Sequence, residues 1–178
     1  MMAENKLIAR KKYKVKKLKE PKLYFAIRIR GSPGMRNTIN DTLKMLRMHK
    51  VNHGVLIWGE TSYMGMLNKC KDYIAYGEID EKTLIRLLRA RGKVEGNKPL
   101  TDIHIKNLTQ YQNIKEFAKA LISGEIQYRT KDIYKIKPVF RLHPPKTGYK
   151  GSIKKHYKEG GTLGYVENYI NELVHKMI

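Results

Sequence analysis

The sequence predicts an α+β protein: a β-α-β-α-β unit forming a two-layer sandwich, followed by a helical and basic-loop C-terminal extension. Apolar residues alternate strictly along residues 23–30, which is typical of a strand. Segments 33–48 and 61–70 carry apolar residues at helical spacing. A short apolar run follows each of them, at 55–58 and 73–79. Because each helix has a single apolar face, the two helices should cover one face of one sheet.

Turn and cap residues set the boundaries within this unit. Ser32 followed by Pro33 predicts the start of the first helix, since serine caps helix N-termini and proline is favoured at the first helical position. The stretch 52–54 (Asn-His-Gly) predicts its exit. Thr61 or Ser62 is expected to cap the second helix.

The alternation along the first strand assigns its two faces. Phe25 and Ile27 should face the helices, whereas Tyr24, Arg28 and Arg30 should lie on an open face. If the first two strands pair in parallel, their connection must be a right-handed crossover through the first helix. The open face would then present arginines to a partner.

The extension, residues 80–178, is predicted to be mainly helical. Helices are expected at 80–92 and 114–122, the latter ended by Gly124. A short strand at 139–142 precedes a basic loop, and a final apolar-faced helix ends the chain.

Net charge identifies the class of partner. The chain has 37 Lys and Arg against 16 Asp and Glu, a formal net charge of +21 on 178 residues. This much self-repulsion opposes compaction unless a polyanion relieves it. The sequence contains no apolar stretch of membrane-spanning length and no signal-peptide pattern, so nucleic acid is favoured over a membrane. A single cysteine excludes an intrachain disulfide or cysteine-cluster zinc site and predicts a cytosolic protein.

Two segments concentrate the positive charge. Residues 1–21 form a basic arm with eight cations and no acid between Lys6 and Lys19, and we expect it to order on RNA. Residues 144–163 alternate glycines, lysines and tyrosines without apolar periodicity. Such a loop suits a phosphate backbone with exposed bases, so its tyrosines are expected to stack on RNA and the loop to order on binding.

Several stretches resemble one family, the large-subunit ribosomal proteins L thirty. The resemblance is to the archaeal and eukaryotic branch of this family, whose eukaryotic members are called L seven. The core resemblance spans residues 22–79, and the tail resemblance combines two spaced motifs. The matching segments are 22–30, 38–46, 49–53, 63–69, 140–146 and 158–164.

This resemblance implies a core related to the ferredoxin-like fold and a structural role in the large ribosomal subunit of the cytoplasm. It implies binding to large-subunit ribosomal RNA near the 5S rRNA, with neighbouring ribosomal proteins as further partners. It implies no catalytic activity, no cofactor and no small-molecule substrate.

Candidate RNA-binding residues come from the arm, the open sheet face, the matching segments and the basic loop. They are Lys11, Lys12, Lys14, Lys16, Lys17, Arg28, Arg30, Arg36, Asn37, His49, Lys50, Asn52, His53, Tyr63, Lys69, Arg141, His143, Lys146, Tyr149, Lys150, Lys154, Lys155, Tyr157 and Lys158.

Alternative interpretations rest on weaker signals. The G-x-x-G pattern at residues 31–34 matches the backbone clamp of KH domains, but it follows a strand here, which favours a strand-to-helix turn. His49 and His53 have i, i+4 spacing but no acid nearby in metal-ligand spacing.

Two alternative functions stay open, an RNA-processing enzyme and a non-ribosomal RNA-binding protein. An enzyme would need an activated titratable group, and the sequence shows no motif for one.

Overall fold

A computed structural model describes residues 22–126, 128 and 135–178 of the chain. Its strands are β1 Leu23–Arg28, β2 His53–Trp58, β3 Ile74–Glu78, β4 Val139–Arg141, β5 Ser152–His156 and β6 Gly161–Tyr165. Its α-helices are α1 Asn37–Met45, α2 Thr61–Lys69, α3 Glu81–Arg91, α4 Asp102–Leu108, α5 Ile114–Ser123 and α6 Tyr169–Met177. The α+β class and the C-terminal extension are confirmed.

The described strands form one six-stranded sheet in the order β4-β2-β1-β3-β6-β5. β1 lies between β2 and β3 and is antiparallel to both, with Phe25 opposite Leu56 and Gly77. The conditional parallel pairing of the first two strands is therefore wrong. The extension supplies both edges of the sheet, because β4 pairs with β2, and β6 pairs with β3.

Helices cover both faces of this sheet. One face buries Tyr24 and Ala26 against Leu43 of α1 and Leu67 of α2. The other face buries Phe25 and Ile27 among side chains of α3, α5 and α6. The expected two layers are present, and the extension adds a third layer over the opposite face. The prediction of an open sheet face is wrong, since every residue of β1 is buried. The prediction that Phe25 and Ile27 face the first two helices is also wrong, because Tyr24 and Ala26 occupy that face.

The first helix starts later than the sequence indicated. Ser32 does not cap it; Ser32 and Met35 instead close a turn, and Gly34 has a φ of 70° that interrupts any helix there. The helix begins at Asn37, after an extended Arg36. The G-x-x-G stretch is thus a turn between β1 and α1, as expected from its position after a strand.

Candidate RNA-binding surface

All six strands contribute a terminus to one end of the sheet. β1 and β4 finish there, whereas β2, β3, β5 and β6 begin there, as their pairing directions require. Backbone hydrogen bonds tie the loops of this end together: the Asn52 N–H donates to the Arg28 carbonyl over 2.8 Å, and the Leu142 N–H donates to the Asn52 carbonyl over 3.0 Å. We call it the basic end and define it by Arg30, Arg36, His49, Lys50, His53, Lys71, Arg141 and His143.

The positive charge of the basic end is largely uncompensated. Arg36, Lys50 and Arg141 are exposed, and none of them belongs to the ion pairs found among the described residues. The acid nearest in sequence to Lys71 is Asp72, whose carboxylate lies 2.9 Å from His156 Nε2. Exposed, unpaired cations of this kind are suited to phosphate groups.

The opposite end of the sheet carries acids. We call it the acidic end and define it by Glu60, Glu78, Asp80, Glu81 and Glu167, which lie at or just after the last residues of β2, β3 and β6. The Glu78 carboxylate is 2.8 Å from the Lys22 ammonium there. Opposite charges at the two ends of the strands favour one orientation of the protein on a polyanion.

The prediction that Arg28 lies on an open sheet face is wrong. We expected its guanidinium on an open face, but the residue is only 2% exposed. Its Nη1 donates to the carbonyls of Met48 and His49 at 2.9 and 3.0 Å, and its Nη2 donates to Ser32 Oγ at 2.7 Å. Burial lowers the pKa of Arg28, without removing its charge at neutral pH. Arg28 therefore holds the turns of the basic end together from within.

Arg30 lies two residues further and is partly exposed. Its Nη1 donates to the Asp72 carbonyl at 3.2 Å, and its guanidinium carbon lies 5.0 Å from the centre of the Tyr73 ring. Stacking on an aromatic ring orients a guanidinium without neutralising it. Arg30 remains a candidate contact to RNA.

The start of β2 and the residue before it contain two buried polar atoms without a partner in the described residues, His53 Nδ1 and Asn52 Oδ1. Burial lowers the pKa of His53, and the positive charges of Arg141, His49 and Lys50 lower it further. These neighbours disfavour protonation because they create a positive potential at the imidazole. His53 therefore lies within the positive field of the basic end.

The basic loop is more regular than we expected. Within residues 144–163 the chain forms β5, a 3-10 turn at Tyr157–Glu159 and part of β6, so the prediction that it lacks regular structure is wrong. Its glycines have packing reasons: a side chain on Gly161 would collide with the Lys155 carbonyl, and one on Gly151 would collide with the Gly160 carbonyl.

The two tyrosines of this loop also have intramolecular partners. The Tyr157 ring stacks on Tyr169 of α6, with centroids 5.7 Å apart and an interplanar angle of 18°. Tyr149 is partly buried and packs against the main core. Helix α6 and the main core therefore cover part of both rings. Stacking on RNA stays a prediction for whatever ring surface is left exposed.

The other candidates divide between the two ends and the basic loop. Asn37 is exposed at the start of α1, Lys69 is exposed at the end of α2, and Tyr63 lies near the start of α2, away from the basic end. The exposed lysines of the loop region are Lys146, Lys150, Lys154, Lys155 and Lys158. The arm candidates Lys11, Lys12, Lys14, Lys16 and Lys17 lie outside the described residues.

Sequence reasoning missed Lys71, His156 and Tyr165 as candidates. Lys71 lies just before β3, and the pairing of β3 with β6 brings it near the loop region. No local motif marks these residues, since only the parallel pairing of β3 and β6 brings them together.

Within the described residues no helix is long and apolar enough to cross a membrane. The same part of the chain contains no group of three His, Cys, Asp or Glu residues placed to hold a metal ion. The fold and the basic end define an α+β protein that concentrates exposed cations at one end of a six-stranded sheet.

Comparison with known proteins narrows this class to one family. The family model for ribosomal protein L30p/L7e matches residues 24–74. The large ribosomal subunit protein uL30 of Methanocorpusculum labreanum is 46% identical over 155 residues, covering 87% of this chain and 99% of that protein. The proteins of the same name from Methanoculleus marisnigri and Methanoregula boonei are 48% and 49% identical, with the same coverage. This chain belongs to the L30p/L7e family of ribosomal proteins, which confirms the resemblance seen in the sequence.

Proposed function

We propose that the chain binds large-subunit ribosomal RNA through the basic end of its sheet, close to the 5S rRNA and to neighbouring ribosomal proteins. Its role is that of a structural constituent of the large ribosomal subunit in the cytoplasm, in agreement with the names of its relatives. The family to which the chain belongs is one of ribosomal structural proteins, and we propose no catalytic activity for it.

One observation carries the RNA proposal: the strand directions gather unpaired cations at one end of the sheet and acids at the other. An evenly basic protein would bind RNA in many orientations. A protein with separated charges binds with the basic end foremost, and its rigid loops then fix the register of phosphate contacts.

A matched pair of triple variants tests this proposal. We expect R36A/K50A/R141A to weaken binding to large-subunit rRNA and to lower the slope of log affinity against log salt by roughly two to three units, about one per lost phosphate contact. Folding stability should change little, because exposed charges contribute little to it. Filter binding across a salt series gives the slope.

The control variant K82A/K106A/K119A removes the same charge from exposed lysines on α3, α4 and α5. It should leave most of the affinity and the slope in place. Equal losses in both triple variants would contradict the proposal, since net charge and not its placement would then determine binding.

A further inference from the structure

A cavity of about 310 Å³ lies between α2, the start of β3 and residues 156–165. Lys71 lines it from the basic end of the sheet, and Tyr165 lines it from the side of the acidic end. This volume lies at the lower limit of typical ligand pockets, roughly 300–1,000 Å³. Its walls combine aromatic rings with cations, and none of its described lining residues takes part in a catalytic arrangement. We call it the Lys71–Lys158 pocket after the two lysines that line it.

The aromatic wall of the pocket includes Tyr165, the last residue of β6. Its side chain is 38% exposed, although its ring packs against Tyr76 with centroids 5.6 Å apart. The Tyr165 hydroxyl donates to a Glu78 carboxylate oxygen at 3.3 Å, which fixes the ring. Burial and the Glu78 charge raise the pKa of Tyr165 to about 12, so the ring stays neutral. A fixed, neutral, partly exposed ring is a stacking platform for a base.

The cations of the pocket are available to a ligand. Lys71 and Lys158 are both exposed, and neither ammonium has an ion-pair partner in the part of the chain that the structure describes. Asp72 follows Lys71 directly, but its carboxylate is engaged by His156. One acid, Glu159, lines the pocket and supplies an acceptor for an exocyclic amino group.

We propose that the Lys71–Lys158 pocket binds a single unpaired nucleotide of RNA, with its base against Tyr165 and its phosphate groups on Lys71 and Lys158. This rests on the proposed function, since it assigns one site within the rRNA contact. Unpaired bases that leave a helix are commonly recognised by aromatic rings flanked by cations. A protein ligand fits the pocket less well, because an apolar side chain would desolvate two ammonium groups.

Ultraviolet cross-linking of the full chain to large-subunit rRNA, followed by proteolysis and mass spectrometry, locates the base. We expect a nucleotide adduct on a peptide that contains Tyr157 or Tyr165. In the intact large subunit, a protein–protein cross-link at these peptides in place of a nucleotide adduct would overturn the inference.

Substitutions measure the contribution of the pocket. Tyr165→Leu should weaken rRNA binding by roughly 5- to 150-fold, the range for loss of one base–aromatic stack, whereas Tyr165→Phe should retain it. Tyr111→Leu is the matched control, since this partly buried ring packs on Phe117, away from the pocket. The variant K71A/K158A gives a second test in case Tyr165→Leu disturbs folding. It should lower the slope of log affinity against log salt by roughly 1.4 units. The control variant K106A/K119A should change this slope little.

The outcomes separate this inference from the proposed function. Tight, salt-dependent rRNA binding by the wild-type chain, together with unchanged binding by Tyr165→Leu and K71A/K158A, would overturn the pocket assignment alone. Absence of rRNA binding by the wild-type chain would overturn the proposed function itself.

Discussion

Replacing Phe25 by alanine should lower the free energy of unfolding by about 3–5 kcal/mol, as core Phe truncations do. Phe25 lies in the central strand and is fully buried. Its ring meets Phe140 edge-on at 5.9 Å and covers Gly54, where any side chain would collide with it. The truncation therefore leaves a cavity beside Phe140, between the sheet and α3, α5 and α6, that the rigid sheet cannot fill. Denaturant unfolding followed by circular dichroism measures the loss.

Ile103→Ala is the control for this truncation, because Ile103 is 71% exposed in α4. Its effect should stay within about 0.5 kcal/mol, as expected for surface positions. A Phe25→Ala protein as stable as Ile103→Ala would mean that the face packed against α3, α5 and α6 is not the main core.

Affinity for large-subunit rRNA should fall about 10³- to 10⁵-fold between 50 and 200 mM salt, if six to ten phosphates are contacted. The net charge of +21 and the unpaired cations of the basic end supply enough contacts for this. Each contact releases condensed counterions, so the logarithm of affinity falls linearly with the logarithm of salt concentration. Filter binding with a fixed rRNA fragment gives the slope.

The control is the free energy of unfolding measured over the same salt series. It should not fall with salt, because the described ion pairs are mostly exposed and contribute little to stability, and salt screens the self-repulsion of the chain. A flat plot of affinity against salt, with the protein folded throughout, would contradict the electrostatic account.

Local pattern was enough to place β1, since Leu23, Phe25 and Ile27 alternate with period two. The local pattern was not enough to predict that helices cover both faces of the sheet. The burial of Arg28 depends on carbonyls twenty and twenty-one residues away, at Met48 and His49, and no window around β1 contains them. The alternation therefore predicted that Arg28 is exposed to solvent. The residue is buried instead, because carbonyl groups distant in sequence accept its hydrogen bonds.

The location of the basic end also could not be predicted from local sequence. Arg36, Lys50 and Arg141 could be identified from charge and resemblance, but their common location depends on the antiparallel pairing of β1 with β2 and of β2 with β4. The glycine-rich composition of the basic loop predicted a segment suited to a phosphate backbone. Gly151 and Gly161 instead permit close crossing of two protein segments, a requirement that composition cannot show.

Directed hydroxyl-radical cleavage from an iron chelate tethered to a cysteine tests the central claim, that the basic end faces rRNA, most directly. The native Cys70 does not interfere: it is buried, and burial raises the pKa of its thiol to about 11, so reagents select an introduced cysteine. Lys50→Cys labels the basic end and Glu81→Cys labels the acidic end, both at exposed positions. After assembly into the large subunit, the probe at position 50 should cleave rRNA strongly and the probe at position 81 weakly. Stronger cleavage from position 81, or equal cleavage from both, would contradict the account.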